Sequence, residues 1–153
     1  MTRAYLALGS NLGDREAHLA AARRLLREHG VGMVRESSVL ETEPFGVTDQ
    51  PAFLNQVLEV EWPGTPRDLL GSVKAVESEA GRKPTYRWGP RELDVDILTF
   101  GNETLSDGDL TIPHPGLADR PFLRQLLGEL GVEVDGLSPG QPVGEVDVHE
   151  GGT

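Results

Sequence analysis

Asp94 and Asp96 stand two residues apart in the run Leu93-Asp94-Val95-Asp96-Ile97-Leu98, whose other members are apolar. In an extended chain that spacing sends both carboxylates to one face, roughly 7 Å apart at the backbone. Like charges on one face repel, and beside Val95, Ile97, Leu98 and Phe100 they are costly to desolvate, so a bound cation is the natural compensation. An oxygen-only donor set favours Mg2+ or Mn2+ over zinc. An Asp-x-Asp pair is also common at the exposed end of an edge strand, and its surroundings decide between the two readings. Just upstream, residues 82 to 91 hold Arg82, Lys83, Arg87 and Arg91 without an acid, in a chain of net charge -11. Simple proportion would put roughly one basic residue there. Arginine presents a planar fork of donors suited to phosphate oxygens, and Trp88 offers a flat face for a ring or a guanidinium. Arginines and a metal-binding acid pair facing one pocket are what a polyphosphate requires. A merely solvated basic loop is the plainer alternative.

No Gly-x-x-x-x-Gly-Lys-Ser/Thr and no Gly-x-Gly-x-x-Gly occurs, so neither a P-loop nor a dinucleotide fingerprint is present. Ser10-Asn11-Leu12-Gly13 reads only as a tight turn. His114 is stiffened between Pro113 and Pro115, which suits either a structural histidine or a phosphate contact. Arg120 and Phe122 read as a capping-region charge and a core aromatic.

The elements that must position these groups follow from periodicity. Arg3 to Gly9 alternates as a strand, and a helix runs from about Asp14 to His29 on the stripe Leu19, Ala22, Leu25 and Leu26, with Gly30 as its stop. Val31 to Glu43 is one long extended segment, predicted to pair with a second long strand over Phe53 to Trp62. Thr65-Pro66-Arg67-Asp68 is a helix start, and that helix continues to Ala80 on Leu69, Val73, Val76 and Ala80, with Lys74 and Glu77 on a different face. Pro84, Gly89 and Pro90 keep 81 to 90 irregular. Leu93 to Phe100 is a third strand, Gly101 to Leu110 a small hairpin, and Phe122 to Leu130 a last helix. The chain beyond about Leu137 is expected to be mobile. The order strand, helix, strand, strand, helix, strand predicts a split pair of β-α-β units, a mostly antiparallel sheet with helices on one side.

The 153 residues suit one domain, with 37% apolar residues to fill a core. Neither a signal-peptide nor a membrane-span pattern occurs, which predicts a cytoplasmic protein. The absence of cysteine excludes disulfides, thiolate metal sites and cysteine nucleophiles. The strong net negative charge argues against a general nucleic-acid or acidic-membrane surface. Three readings stay open on these residues alone: a polyphosphate-transferring enzyme, another two-metal nuclease or transferase, and a non-catalytic module that binds an anion.

The run Arg87-Trp88-Gly89-Pro90-Arg91-Glu92-Leu93-Asp94-Val95-Asp96-Ile97-Leu98 resembles the signature of the 6-hydroxymethyl-7,8-dihydropterin pyrophosphokinase family. Ala7-Leu8-Gly9-Ser10-Asn11-Leu12-Gly13-Asp14, Thr42-Glu43-Pro44-Phe45-Gly46, Asp49-Gln50-Pro51-Ala52-Phe53-Leu54-Asn55 and Ile112-Pro113-His114-Pro115 join it in order and spacing. The resemblance implies a ferredoxin-like α+β fold and transfer of the β,γ-pyrophosphate of ATP to the pterin hydroxymethyl group, with AMP released. It implies that Asp94 and Asp96 bind two Mg2+ ions and that Arg82 and Arg91 steady the transferring group. Glu77, Arg87, Trp88, Ile97, His114 and Arg120 would line the ATP site, and Thr42, Pro44, Phe45, Phe53, Asn55 and Phe122 the pterin pocket. It further implies a monomer acting on small molecules. The chain departs from the family pattern in a loop between Arg82 and Arg87 that is one residue shorter, with a second arginine missing. It also carries Phe53 where tyrosine is frequent, Lys74 where glutamine occurs, and Gly116 where arginine often follows Pro-His-Pro.

Overall fold

In strand β1 (Thr2–Ser10) every residue from Ala4 to Ser10 is buried, so both faces of this stretch are covered by other elements over most of its length. The computed structural model describes residues 1–44, 49–86, 89–133 and 144–145. The expectations for Phe45, Arg87, Trp88 and the tail beyond Leu137 fall outside them.

Strand β1 is flanked by β4 (Phe53–Trp62) and β5 (Asp94–Phe100), both antiparallel to it, and β2 (Gly32–Glu36) and β3 (Leu40–Thr42) both pair with β4. Helices α1 (Arg15–Glu28) and α2 (Pro66–Glu79) complete the two β-α-β units. This is the ferredoxin-like α+β architecture. A hairpin of β6 (Leu105–Asp107) and β7 (Leu110–Ile112) follows β5, then short α3 (Gly116–Asp119) and α4 (Pro121–Glu129). Val132–Glu133 pairs with Gly144–Glu145 as β8 and β9.

Alternation in β1 divides the core in two. Ala4, Leu6 and Leu8 pack with the apolar stripes of α1 and α2, while Tyr5 and Ala7 pack with Val57, Leu98, Leu117 and the α4 residues Leu123, Leu126 and Leu127. The helices therefore cover both faces of the sheet, not one as the element order suggested. The α4 stripe needs an apolar partner, and the odd-numbered side of β1 supplies it.

Three local features bear on the site. The extended segment expected over 31 to 43 breaks at Ser37, whose Oγ accepts the Val57 N–H at 2.8 Å in place of a strand carbonyl. Helix α2 carries the expected capping box, with Asp68 N donating to Thr65 Oγ1 at 3.0 Å and Thr65 N to Asp68 Oδ2 at 3.2 Å. Strand β5 contains a bulge: Leu6 pairs with Ile97 and Tyr5 with Thr99, leaving Leu98 as the extra residue.

At the end of the sheet away from Asp94, buried Glu59 pairs with Arg3 and Arg35, and Arg35 Nη2 donates to Leu130 O at 2.6 Å. A buried carboxylate is tolerable only with such partners, and the arrangement fixes the C-terminal end of α4 to the sheet. Among the described residues no helix is long and apolar enough to cross a membrane.

Candidate active site

Where α4 stops covering the sheet, a cleft of about 640 Å³, counting its open mouth, lies over the ends of β1, β4 and β5. Strand register explains its chemistry. Ala7 pairs with Asp96 and with Val57, and Gly9 pairs with Asp94 and with Asn55, so the two acids and the amide share one face. Of the residues singled out from sequence, Arg91, Asp94, Asp96 and Arg120 line one part of this cleft and Thr42, Phe53, Asn55 and Phe122 the other. Ala7, Leu8, Gly9, Glu43 and Leu123 also line it. The signal for Ala7 and Gly9 was available: small residues on alternate positions of a strand leave room above them. A Cβ on Gly9 would meet Asn55 Oδ1 at 3.3 Å and the Phe53 ring at 3.5 Å, so the floor is shaped by the missing side chain.

Around Asp94 the charges interlock. Arg82 Nη1 lies 3.0 Å from Asp94 Oδ1 and 2.8 Å from Glu77 Oε2, and Arg91 Nη1 lies 3.7 Å from Asp94 Oδ2. Glu77 is buried beneath β5, where Oε2 accepts the Val95 N–H at 2.8 Å. The sequence put Glu77 on a face apart from the core stripe; the structure turns it inward because that N–H, between the two aspartates, needs an acceptor. Burial raises the Glu77 carboxyl above its usual range, against the Val95 hydrogen bond and the Arg82 charge. Glu77 does not line the cleft. Ile97 faces away from it into the core with α1 and α2, leaving only its backbone for a ligand, and Pro44 is buried and does not line it.

Burial, followed by the neighbouring charge of Asp94, pushes Asp96 up to about 8, while Arg120 and Arg82 oppose the shift. His114 Nε2 lies 3.7 Å from Asp96 Oδ1, and His114 Nδ1 accepts the Gly116 N–H at 2.9 Å, which assigns the ring proton to Nε2. Burial and then Arg120 lower the His114 pKa, so the ring is neutral at pH 7. Asp94 and Asp96 keep 26% and 32% side-chain exposure, which leaves both within reach of a cation. Among the described residues no group of three or more His, Cys, Asp or Glu forms a cage for a metal. Two carboxylates on an open face suit a hard cation that takes its other ligands from water and a polyphosphate.

On the other side, Asn55 Nδ2 donates to Thr42 Oγ1 at 2.6 Å, so the amide plane is fixed with its carbonyl toward Gly9. Asn11, read from sequence only as part of a turn, joins the two halves. Its Oδ1 accepts from Arg91 N at 2.9 Å, and its Nδ2 donates to Gln50 Oε1 at 2.7 Å and to Pro51 O at 3.0 Å. No spacing rule exposes such a role, since its partners lie 39, 40 and 80 residues away.

A family model described as 7,8-dihydro-6-hydroxymethylpterin-pyrophosphokinase matches residues 5–131. The chain is 42% identical over 133 residues to a 2-amino-4-hydroxy-6-hydroxymethyldihydropteridine pyrophosphokinase of Bacillus subtilis, covering 86% of this chain and 80% of that one. A protein of the same name from Aquifex aeolicus is 41% identical over 122 residues, covering 80% and 76%. A mitochondrial folate synthesis bifunctional protein of Pisum sativum is 40% identical over 131 residues, covering 85% of this chain and 25% of the plant protein. The match spans β1 through α4 and includes both halves of the cleft, so the chain belongs to the 7,8-dihydro-6-hydroxymethylpterin-pyrophosphokinase family.

Proposed function

We propose that this cleft transfers the β,γ-pyrophosphate of ATP to the hydroxymethyl oxygen of 6-hydroxymethyl-7,8-dihydropterin, a step of folate biosynthesis, using Mg2+ held by Asp94 and Asp96. The observation that carries the reading is the shared face on which Asp94 and Asp96 stand within one cleft with Asn55, Phe53 and Phe122. The substrate oxygen bonds to the β-phosphorus as the bond from that phosphorus to the α,β-bridging oxygen breaks. AMP departs and the hydroxyl proton leaves to solvent.

Bound Mg2+, with two ions expected, would neutralise phosphate oxygens and orient the chain for in-line attack. The protein's own groups do the rest. Arg82 and Arg91, which rest on Asp94, hold the transferring group when a cation takes their place there. Arg120 and the neutral His114 flank the phosphates, and the Ile97 backbone meets the nucleotide. Glu77 acts from behind by holding Arg82 and the Val95 N–H. Arg87 and Trp88 are assigned to the nucleotide on sequence alone. Phe122 and Phe45 stack on the pterin, with Phe53, Thr42, Pro44 and the Asn55 carbonyl along its edge. Positioning and electrostatics supply most of the rate, since no dedicated general base stands out among the described residues. The protein is read as a cytoplasmic monomer acting on small molecules.

Incubation with ATP, Mg2+ and the pterin should yield AMP in step with pterin diphosphate. ADP, or AMP formed without pterin, would point to a different transferase. No turnover at all would point to a binding module.

Cation binding carries a pH signature. The raised Asp96 value means that the native protein binds more protons than the unfolded chain between the ordinary carboxyl pKa of about 4 and about 8. The contribution of Asp96 to the stability of the metal-free protein should therefore fall as pH rises through that window. Mg2+ competes with the Asp96 proton, so its stabilising effect should grow toward pH 8 and then level. Melting curves at pH 5.5 and 8.5, with and without Mg2+, test this; an equal Mg2+ shift at both pH values would reject it.

A further inference from the structure

We infer that Arg15 is a positioning residue for the pterin, fastening together the two ends of the segment that joins β3 to β4. The inference rests on the pyrophosphokinase reading above. Arg15 opens α1 and lies outside the cleft lining. Its Nη1 nonetheless lies 2.8 Å from Glu41 Oε2, just before the segment, and 2.8 Å from the Ala52 carbonyl, just after it. Glu41 directly precedes Thr42, and Ala52 directly precedes Phe53; Thr42 and Phe53 are register partners and both line the cleft. One guanidinium nitrogen thus sets the separation at which the chain leaves β3 and enters β4.

The ladder cannot do this by itself. β3 contributes only Leu40, Glu41 and Thr42 to the pairing with β4, and Thr42–Phe53 is its last pair. Among the described residues no strand pairing continues beyond that pair, and the fixed Thr42–Asn55 contact depends on the two strands staying together. The Arg15 clamp sits at the splaying point. Its partners explain why it is not simply a stability element. Glu41 keeps 58% side-chain exposure and Arg15 30%, and pairs so exposed add little to the fold. Such a contact affects geometry at the pocket more than it affects unfolding.

The test is steady-state kinetics on the full chain carrying Arg15→Ala, Arg15→Lys or Glu41→Gln, with a melting curve for each. Arg15→Ala should raise the KM for the pterin by about fivefold to tenfold and leave kcat and the KM for ATP within about twofold of wild type. Arg15→Lys keeps a donor that can reach one acceptor and should recover part of the loss. Glu41→Gln, which keeps Ala52 held, should show a smaller rise in the same constant. An unchanged pterin KM in Arg15→Ala would overturn the inference, as would equal rises in both KM values or a loss confined to kcat. If wild type itself makes no AMP from ATP and pterin, the functional reading fails instead.

Discussion

Asp96→Ala should abolish turnover while leaving a folded protein, with kcat lowered by about a thousandfold or more. Asp96 shares a face with Asp94 because β5 alternates, and the pairing of Ala7 with Asp96 keeps bulky groups away from that face. No other acid among the described residues can take over the metal contact, since Asp94 and Asp96 are the only carboxylates aligned there besides exposed Glu43 at the cleft wall. The fold should survive for a separate reason. Asp96 belongs to neither core cluster, and the backbone of its strand is held by Glu77 at Val95. Burial makes the charged form of Asp96 unfavourable, so its loss should, if anything, raise the melting temperature of the metal-free protein at pH 8. Asp96→Asn should behave alike and keeps the side-chain volume. Activity within tenfold of wild type in either variant, measured with Mg2+ and both substrates saturating, would remove Asp96 from the metal site.

Asn11→Ala should be the most damaging substitution outside the cleft. The side chain is 1% exposed and makes three hydrogen bonds to two different loops. Truncation leaves the Arg91 N–H and the Pro51 carbonyl without these partners, a loss of about 2 to 4 kcal/mol when buried polar groups go unmet. It also uncouples the arginine at Asp94 from the segment that ends at Phe53. kcat/KM should fall by about a hundredfold, with KM rising for both substrates. Asn11→Asp separates the two arms. It keeps the acceptor for Arg91 N but loses the donor to Gln50 and Pro51, so the pterin constant should suffer more than the ATP constant. Asn11→Ala kinetics within threefold of wild type would show that the two loops keep their places unaided.

Local rules made the acidic half of the cleft legible. The shared face of Asp94 and Asp96 follows from strand alternation, the α2 start from Thr65-Pro66-Arg67-Asp68, and the pairing of 31–43 with Phe53–Trp62, though not its break at Ser37, from apolar spacing. What escaped depends on contacts distant in sequence. Asn11 has nothing about it, as one residue of a turn, to announce partners at 50, 51 and 91. Glu77 is a polar residue at the edge of a helical stripe, and only the orphan N–H of a strand that passes beneath explains its burial. The placement of α4 on the opposite face failed for a related reason: an apolar helical stripe says that a partner exists, not on which side of the sheet it lies. The assignment of the other half to a pterin stood on resemblance, because aromatic residues such as Phe122 read equally well as core.

The extra residue in β5 has a role that the pairing itself does not call for. The ladder from Leu6–Ile97 to Tyr5–Thr99 would run continuously if Leu98 were spliced out, with both aspartates still facing the same way. What Leu98 adds is a side chain buried under α4 and a carbonyl that accepts the His114 N–H at 2.9 Å. The inserted unit thus serves as the mount on which the Pro113-His114-Pro115 bracket hangs, and it ties the histidine beside Asp96 to the helix whose first turn carries Phe122. A chain shortened by that one residue would keep its carboxylates and lose the alignment between the two walls of the cleft.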